Sequence, residues 1–377
     1  MKTLIELYDE RPIENVLAAE VFRPERVVFL CPEDAPRKGI ERYFEYRNQK
    51  IETVFMTASM LYAEKIEKQL RNIINEYEDC AIDITGGTDA ALFAAGKVCA
   101  ETDIPVFTYS RKKNRFFSIS NAEFADNVFC ELNYCARDFF LMAGGEVKNG
   151  RVDNSVLKKY MDAIDPFFSV FLKYRRKWDK VIYYIQKVSK NDTGSLEVFK
   201  APFSVKGERN NKVDVPAEAL TDLVGIGFIN DLEIAEGETV SFSFADSMIR
   251  SWLRDVGEVL ELYTYKLCVD SGQFNDVRCS TIVEWDRKAV EDKVTNEIDV
   301  LAVKGVVPTF ISCKACQVDT YALNELDILR DRFGGETANA IIVTTEKCRS
   351  VTKQRAHALN IRVIDLDDIN EGNVSIN

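Results

Sequence analysis

Histidine is almost missing from this sequence: one residue, His357, in 377. Ser-His-Asp and Cys-His hydrolases and histidine-dependent ribonucleases all need an imidazole beside a nucleophile or a second base, so a lone histidine argues against each of them. His357 itself sits in the helical pattern SVTKQRAHALN without a partner motif. Long apolar runs are missing as well. No stretch reaches the roughly 18 uninterrupted apolar residues of a membrane helix, and the start MKTLIEL has no secretory apolar core or cleavage site, so the expectation is a cytoplasmic protein with no membrane partner. No Gly-x-Gly-x-x-Gly follows the first strand, which ranks a dinucleotide-dependent oxidoreductase last. No Gly-Lys-Ser/Thr closes a phosphate loop, so ATP hydrolysis is unsupported. Internal repeats and low-complexity segments are also lacking.

Positive charge is short: the formal net charge is -12. Phosphate affinity comes from clustered Lys and Arg, so nucleic-acid contact has to be local. Two basic clusters qualify, Arg111-Lys112-Lys113-Asn114-Arg115 and the stretch 173–190, where Tyr174 and Trp178 are interleaved. Ten cysteines (Cys31, Cys80, Cys99, Cys130, Cys135, Cys268, Cys279, Cys313, Cys316 and Cys348) are scattered, mostly in apolar runs, the pattern of buried thiols in a reducing compartment. Cys313-Lys-Ala-Cys316 lacks the second pair that a zinc ribbon needs, since Cys268 and Cys279 are wrongly spaced.

What is present is an α/β pattern long enough for more than one domain. Short apolar runs at 2–8, 26–31, 52–56, 79–84 and 104–109 alternate with helical patterns, and 115–119 reads as an added antiparallel strand. This predicts a Rossmann-like parallel sheet domain over 1–145, closed by the turn residues Gly144-Gly145 and Lys148-Asn149-Gly150. A connector over 146–246 follows, helical through 152–190. Within it 214–246 reads as a helix and two alternating segments around Glu236-Gly237, a winged-helix-like unit. The region 247–377 reads as mixed α/β: a helix through 267, strands near 279–285, 297–303 and 307–313, a helix at 321–332, a strand at 340–344, a helix near 349–358 and a strand at 361–365.

Two places carry chemistry. The strand ending at Asp83 runs into Thr85-Gly86-Gly87-Thr88 and a small-residue helix. Ligands of open α/β sheets bind at such strand ends, where glycines let backbone N–H groups approach a phosphate; a tight turn with Thr88 as helix cap is the plain alternative. Tyr8-Asp9-Glu10-Arg11-Pro12, at the end of the first strand, lies on the same edge, with Pro12 opening the helix PIENVLAAEVF and Arg11 either a phosphate contact or a solvated ion-pair partner. The second place is Asn296-Glu297-Ile298-Asp299, followed after a turn by Ile311-Ser312-Cys313-Lys314. Phosphodiester hydrolysis needs a carboxylate for Mg²⁺ or Mn²⁺ and an ammonium for the attacking water or the developing charge; Asp299 and Lys314 on neighbouring strands offer both, although such residues are usually plain surface. Glu258 and Glu261 share a helix face with Tyr265, and a helix acid commonly completes a metal set of this kind.

In order and spacing these residues resemble the CARF-domain (CRISPR-associated Rossmann fold) ancillary nucleases of type III CRISPR systems, which join such a sensor to a PD-(D/E)xK, restriction-endonuclease-like domain. The likeness runs over nearly the whole chain. It rests on Asp9-Glu10-Arg11-Pro12, Thr85-Gly86-Gly87-Thr88, Gly257-Glu-Val-Leu-Glu261-Leu-Tyr263, Asn296-Glu-Ile-Asp299, Ile311-Ser-Cys-Lys314 and Leu329-Arg-Asp-Arg-Phe-Gly-Gly335. It implies a homodimer that binds cyclic tetra-adenylate through Tyr8, Asp9, Glu10, Arg11 and Thr85 to Thr88. It also implies cleavage of DNA and/or single-stranded RNA with Mn²⁺ or Mg²⁺ held by Glu261 and Asp299, with Lys314 assisting. One position departs from that pattern: two residues before the lysine, where an acid is usual, stands Ser312. Glu297 or Glu325 would then supply the missing carboxylate. The competing reading is a non-catalytic nucleotide-sensing regulator with a degenerate nuclease domain. The acidity of 214–246 (Asp222, Asp231, Glu233, Glu236, Glu238) counts against that regulator reading DNA itself.

Overall fold

The computed structural model describes residues 1–150, 153–189, 194–207, 211–285, 294–335 and 338–376. Strands β1 (Thr3–Leu7), β2 (Arg26–Cys31), β3 (Glu52–Thr57), β4 (Cys80–Asp83), β5 (Val106–Ser110), β6 (Arg115–Ser120) and β7 (Val128–Phe129) form one sheet in the order β3-β2-β1-β4-β5-β6-β7. The first five run parallel, and β6 and β7 are antiparallel additions. Residues of alternate parity serve opposite faces. Leu4, Val27 and Phe29 pack with Ile40 and Tyr43, whereas Ile5, Leu7, Val28 and Leu30 pack with Ile66, Leu70, Ala91 and Ala94. Both faces being covered explains why these strands read as unbroken apolar runs. The strand order reverses between β1 and β4, so their C-terminal ends frame the crevice where sheets of this kind bind ligands.

The helix expected over PIENVLAAEVF is two pieces, a 3-10 turn Pro12–Asn15 and a helix Leu17–Phe22. The break has a local cause: the Asn15 side chain, held by Asp9 O (2.8 Å) and Asp9 N (2.9 Å), also donates its amide to Arg11 O (3.3 Å), the carbonyl that the Asn15 N–H would use in a helix. The helix expected from 247 to 267 is likewise two, Ser247–Trp252 and Glu258–Asp270, separated where Asp255 accepts from Gly257 N at 2.9 Å.

Residues 146–149, assigned to the connector from sequence, form β8 (Glu146–Asn149) at the edge of the C-terminal sheet. That sheet is completed by β14 (Asp276–Glu284), β15 (Thr295–Lys304), β16 (Val307–Lys314), β17 (Asn339–Thr344) and β18 (Ile361–Ile364), in the order β18-β17-β16-β15-β14-β8. Between β8 and β14 the chain forms helices Met161–Tyr174, Trp178–Val188 and Ala217–Gly225, the pair β10 (Ser204–Lys206) and β11 (Lys212–Asp214), and a three-stranded antiparallel sheet. The latter comprises β9 (Glu197–Pro202), β12 (Ile229–Ala235) and β13 (Thr239–Phe244), with Gly237 (φ 78°) turning the β12–β13 hairpin. Residues 152 and 190, the ends of the expected helical stretch, lie outside the described residues. Phe167 stacks on Trp252 and meets Trp178 and Phe228 edge-on or tilted, in a core continuous with Val259, Val300 and Ile311 of the C-terminal unit.

Two features lock the units together. The helix Ala136–Met142 sends Phe139 into the first sheet's core and Phe140 into the core of the C-terminal sheet. The tip of the β15–β16 hairpin also enters the first core through Val303 and Val306. There Tyr134 N donates to Gly305 O (2.8 Å), Gly305 N donates to the Asn275 side-chain oxygen (2.7 Å), and the Asn275 amide donates to Tyr134 O (2.5 Å).

Candidate active site and ligand loop

β15 and β16 pair antiparallel with Val300 opposite Ile311, which sets Asp299 beside Ser312. Asp299 Oδ2 accepts from the backbone N–H of Cys313 at 2.6 Å and from the Ser312 hydroxyl at 3.2 Å. The serine that replaces the customary acid therefore orients Asp299. Asp299, Ser312 and Lys314 share a small cavity, about 30 Å³, with Glu297 and Glu325. That volume admits an ion or a water or two. Glu297 accepts from Ser280 Oγ at 2.6 Å, and Glu325, on the helix Thr320–Phe333, accepts from the Asn296 amide at 3.1 Å. Asn296 in turn accepts from Trp285 Nε1 at 2.7 Å, a link that no sequence motif announces.

Glu261 comes from the helix Glu258–Asp270, packed against β14, β15 and β16. Burial pushes its carboxyl up to about 9, with repulsion from Asp299, then Glu258 and Glu297, adding to the shift. Burial also raises Asp299, against the Cys313 N–H and the Lys314 ammonium, which pull it down. Hard oxygen donors that repel one another in a half-buried site suit a divalent cation. As the side chains stand, no three His, Cys, Asp or Glu among the described residues converge closely enough to hold one. All ten cysteines are free. The Cys313 thiol is buried and donates to Thr264 Oγ1 at 3.4 Å, while Cys316 is exposed, so the Cys-x-x-Cys pair faces two environments.

At the switch point of the first sheet, Thr85 to Thr88 and the loop after β1 are tied together. Asp9 Oδ1 accepts from Arg11 N (2.9 Å) and Nε (2.7 Å), and Oδ2 accepts from Arg11 Nη2 (2.8 Å) and Gly87 N (3.1 Å). Arg11 is thus an ion-pair partner within the loop. Thr88 caps the helix Asp89–Thr102, as the plain alternative expected, and its hydroxyl donates to Met60 O at 2.7 Å. Tyr8 and Glu10 line a cavity beside the loop. The Thr85 hydroxyl donates to Asp83 Oδ1 (2.5 Å) and accepts from Tyr109 N (2.9 Å).

Sequence reasoning passed over Glu14. It is buried and ion-paired with Arg111, so the first residue of the basic run at 111–115 is partly consumed by structure. Burial pushes Glu14 up to about 7 against the pull of Arg111.

Beneath the loop, buried Asp83 is also pushed up to about 7, chiefly by desolvation, with Thr85's two hydrogen bonds opposing; Glu14 adds to the rise, and Glu6 faces Asp83 across β1–β4. A carboxyl raised from its ordinary 3.8 contributes as the neutral acid. That contribution is complete below the unfolded value and is lost as pH rises through about 7. Asp83→Asn keeps an acceptor for Thr85 and removes the titration. The variant is expected to lose less stability than wild type between about pH 5 and pH 9, by on the order of 1–3 kcal/mol, in urea midpoints measured at both ends. Identical slopes would refute it.

No curated protein matches the chain in sequence. Residues 252–374 match the family model of the Card1-like endonuclease domain, so the unit that holds Asp299, Lys314 and Glu261 carries a nuclease domain. Among solved structures, protein VC1899 from Vibrio cholerae superposes with TM-score 0.77 at 18% identity, over 98% of this chain and 95% of that one. Can2 from Sulfobacillus thermosulfidooxidans, solved with cyclic tetra-adenylate, gives 0.69 at 15% identity, over 98% and 97%. A type III CRISPR defence DNA nuclease activated by cyclic oligoadenylate gives 0.50 at 12% identity, over 92% of this chain and 46% of its own. At these identities the likeness shows a shared fold, a Rossmann-like sheet joined to a mixed α/β unit. No helix among the described residues is long and apolar enough to cross a membrane.

Proposed function

Starting from a Card1-like endonuclease domain over residues 252–374, we propose that this chain is a cytoplasmic, homodimeric nuclease of type III CRISPR antiviral defence. Cyclic tetra-adenylate switches it on, and it cuts DNA and/or single-stranded RNA. The observation that carries the reading is the meeting of Asp299, Glu297, Glu325 and Lys314 at one cavity inside the nuclease domain, with Glu261 close enough to repel Asp299. The resemblance of the first unit's switch-point loop to a nucleotide sensor, and the shared fold with Can2, supply the activator.

Asp299 and Glu261 are the carboxylates that would hold Mn²⁺ or Mg²⁺, with Glu297 or Glu325 as the third oxygen donor in place of the acid that Ser312 displaces. When bound, such an ion neutralises developing charge and makes a water nucleophilic near neutral pH. The chain's own groups do the rest. The Cys313 N–H and the Ser312 hydroxyl fix the Asp299 carboxylate. Lys314 holds a positive charge beside it, where a scissile phosphate gains negative charge.

On the sensor side, a two-fold ligand in a pocket shared by two copies favours whichever dimer arrangement it fits better. Wild-type protein with Mn²⁺ is therefore expected to nick supercoiled plasmid or cut labelled single-stranded RNA at least about tenfold faster with cyclic tetra-adenylate than without. Equal rates with and without ligand would sink the activation. Ligand binding with no cutting of any substrate would instead favour the regulator reading, to which Ser312 already lends a reason.

A further inference from the structure

A trough runs between the Rossmann-like sheet and the nuclease domain. One part, about 360 Å³, is lined by Tyr8 and Glu10 of the candidate ligand loop; the other, about 410 Å³, by Arg37, Lys38 and Arg42. Arg332 lines both parts, and it comes from the other side, the last turn of the helix Thr320–Phe333. The same helix carries Glu325 at the nuclease cavity. Just beyond it, Gly335 (φ 64°) lies against the stem of Arg11, so this helix end packs on the ligand loop. Arg332 is also close enough to Tyr8 for its charge to act on the phenol.

We propose that this trough belongs to the signal-nucleotide site and that Arg332 takes a phosphate of the oligoadenylate there, so that the ligand grips the nuclease helix directly. The proposal rests on the reading of the chain as a cyclic-oligoadenylate-activated nuclease and names a contact within it. Guanidinium groups fit phosphate oxygens with paired hydrogen bonds, and four cations against the carboxylates of Asp34 and Glu10 leave the trough net positive, as a polyanion requires. Glu10 suits the other half of such a ligand, since adenine presents an amino donor. A ligand moves a conformational equilibrium only by the difference in its contacts with the two states. A phosphate on Arg332 is such a difference, because the contact exists only while the helix end sits against the sensor loop. Glu325, two turns back on that helix, is placed by the same event.

The test compares wild type, Arg332→Gln and Arg332→Lys in two titrations without metal, one with cyclic tetra-adenylate and one with fluorescent single-stranded DNA and RNA. Arg332→Gln is expected to weaken the cyclic ligand at least about tenfold, the scale of one charge-assisted hydrogen bond, with partial recovery in Arg332→Lys and no change in strand affinity. Lys38→Gln, another exposed cation of the trough, is expected to weaken the cyclic ligand in the same way if the Arg332 protein folds poorly. Unaltered ligand affinity in well-folded Arg332→Gln overturns the proposal while leaving the activated-nuclease reading in place. Loss of strand affinity alone overturns it too, by giving the trough to the substrate. A wild type that does not bind the cyclic ligand overturns the proposal and that reading together.

Discussion

Asp299→Asn is expected to lower the rate of ligand-activated cleavage by at least about 10³-fold, the scale on which several kcal/mol of transition-state stabilisation disappears. The amide is nearly isosteric. Its oxygen can still accept from the Cys313 N–H and the Ser312 hydroxyl, so the β15–β16 pairing should survive. What vanishes is the negative charge that the Cys313 N–H, the Ser312 hydroxyl and Lys314 face. The variant also relieves repulsion on half-buried Glu261, so its thermal midpoint should equal or exceed that of wild type, separating lost chemistry from lost fold. Single-turnover cleavage at saturating ligand and Mn²⁺ decides the matter, with calorimetry confirming that the cyclic ligand still binds. A variant that cuts within a few-fold of wild type would remove Asp299 from the active site.

The elements that sequence made legible are those whose burial is periodic. β1 to β6 follow their apolar runs to within about two residues, and β1, β2 and β4, covered on both faces, have little choice of composition. The strand pair holding Asp299 and Lys314 was legible for a related reason, an acid and a base standing out of apolar runs. Ser312 was legible as an exception, although its actual role, a hydrogen bond to Asp299, needed coordinates. Long-range features stayed hidden. Glu14 looks like any helix acid in sequence, and only the fold places Arg111, 97 residues away, upon it. β8 reads as a turn segment because its partner, β14, is more than 120 residues downstream. The helix breaks at Val16 and near Asp255 come from single side chains that bond the backbone, a competition no hydrophobic period records.

Such hidden contacts also give the two functional regions a physical connection within one chain. The β15–β16 hairpin has Asp299 and Lys314 towards one end, and its tip is seated in the sensor core, where Asn275 joins Tyr134 to Gly305. The helix Thr320–Phe333 makes a second crossing, from Glu325 to Arg332. Two packed elements thus join the candidate ligand loop to the nuclease cavity, and close packing leaves each of them little room to deform on its own.

Gly86→Ala is the corresponding expectation at the sensor end. A Cβ on Gly86 would lie 2.8 Å from Asp9 Cβ, 3.1 Å from Leu7 O and 3.3 Å from Glu14 Cβ. None of these is the free end of a flexible side chain, so the loop after β1 must move away from the turn after β4. That movement pulls Asp9 from Gly87 N and disturbs the bonds that fix Arg11. Overpacking of this kind costs about 1–3 kcal/mol of stability. If the two loops form the ligand cradle, the concentration of cyclic tetra-adenylate giving half-maximal cleavage should rise at least about tenfold, with most of the maximal rate recovered at saturation. Gly96→Ala supplies the contrast. Nothing lies within 4 Å of its Cβ, and it sits within the helix Asp89–Thr102, so it should leave activation unchanged and raise stability by about 1 kcal/mol. If Gly86→Ala folds with a lowered midpoint yet responds to the same ligand concentration as wild type, the Gly86 turn contributes packing alone and the cradle must be sought farther along the sheet edge.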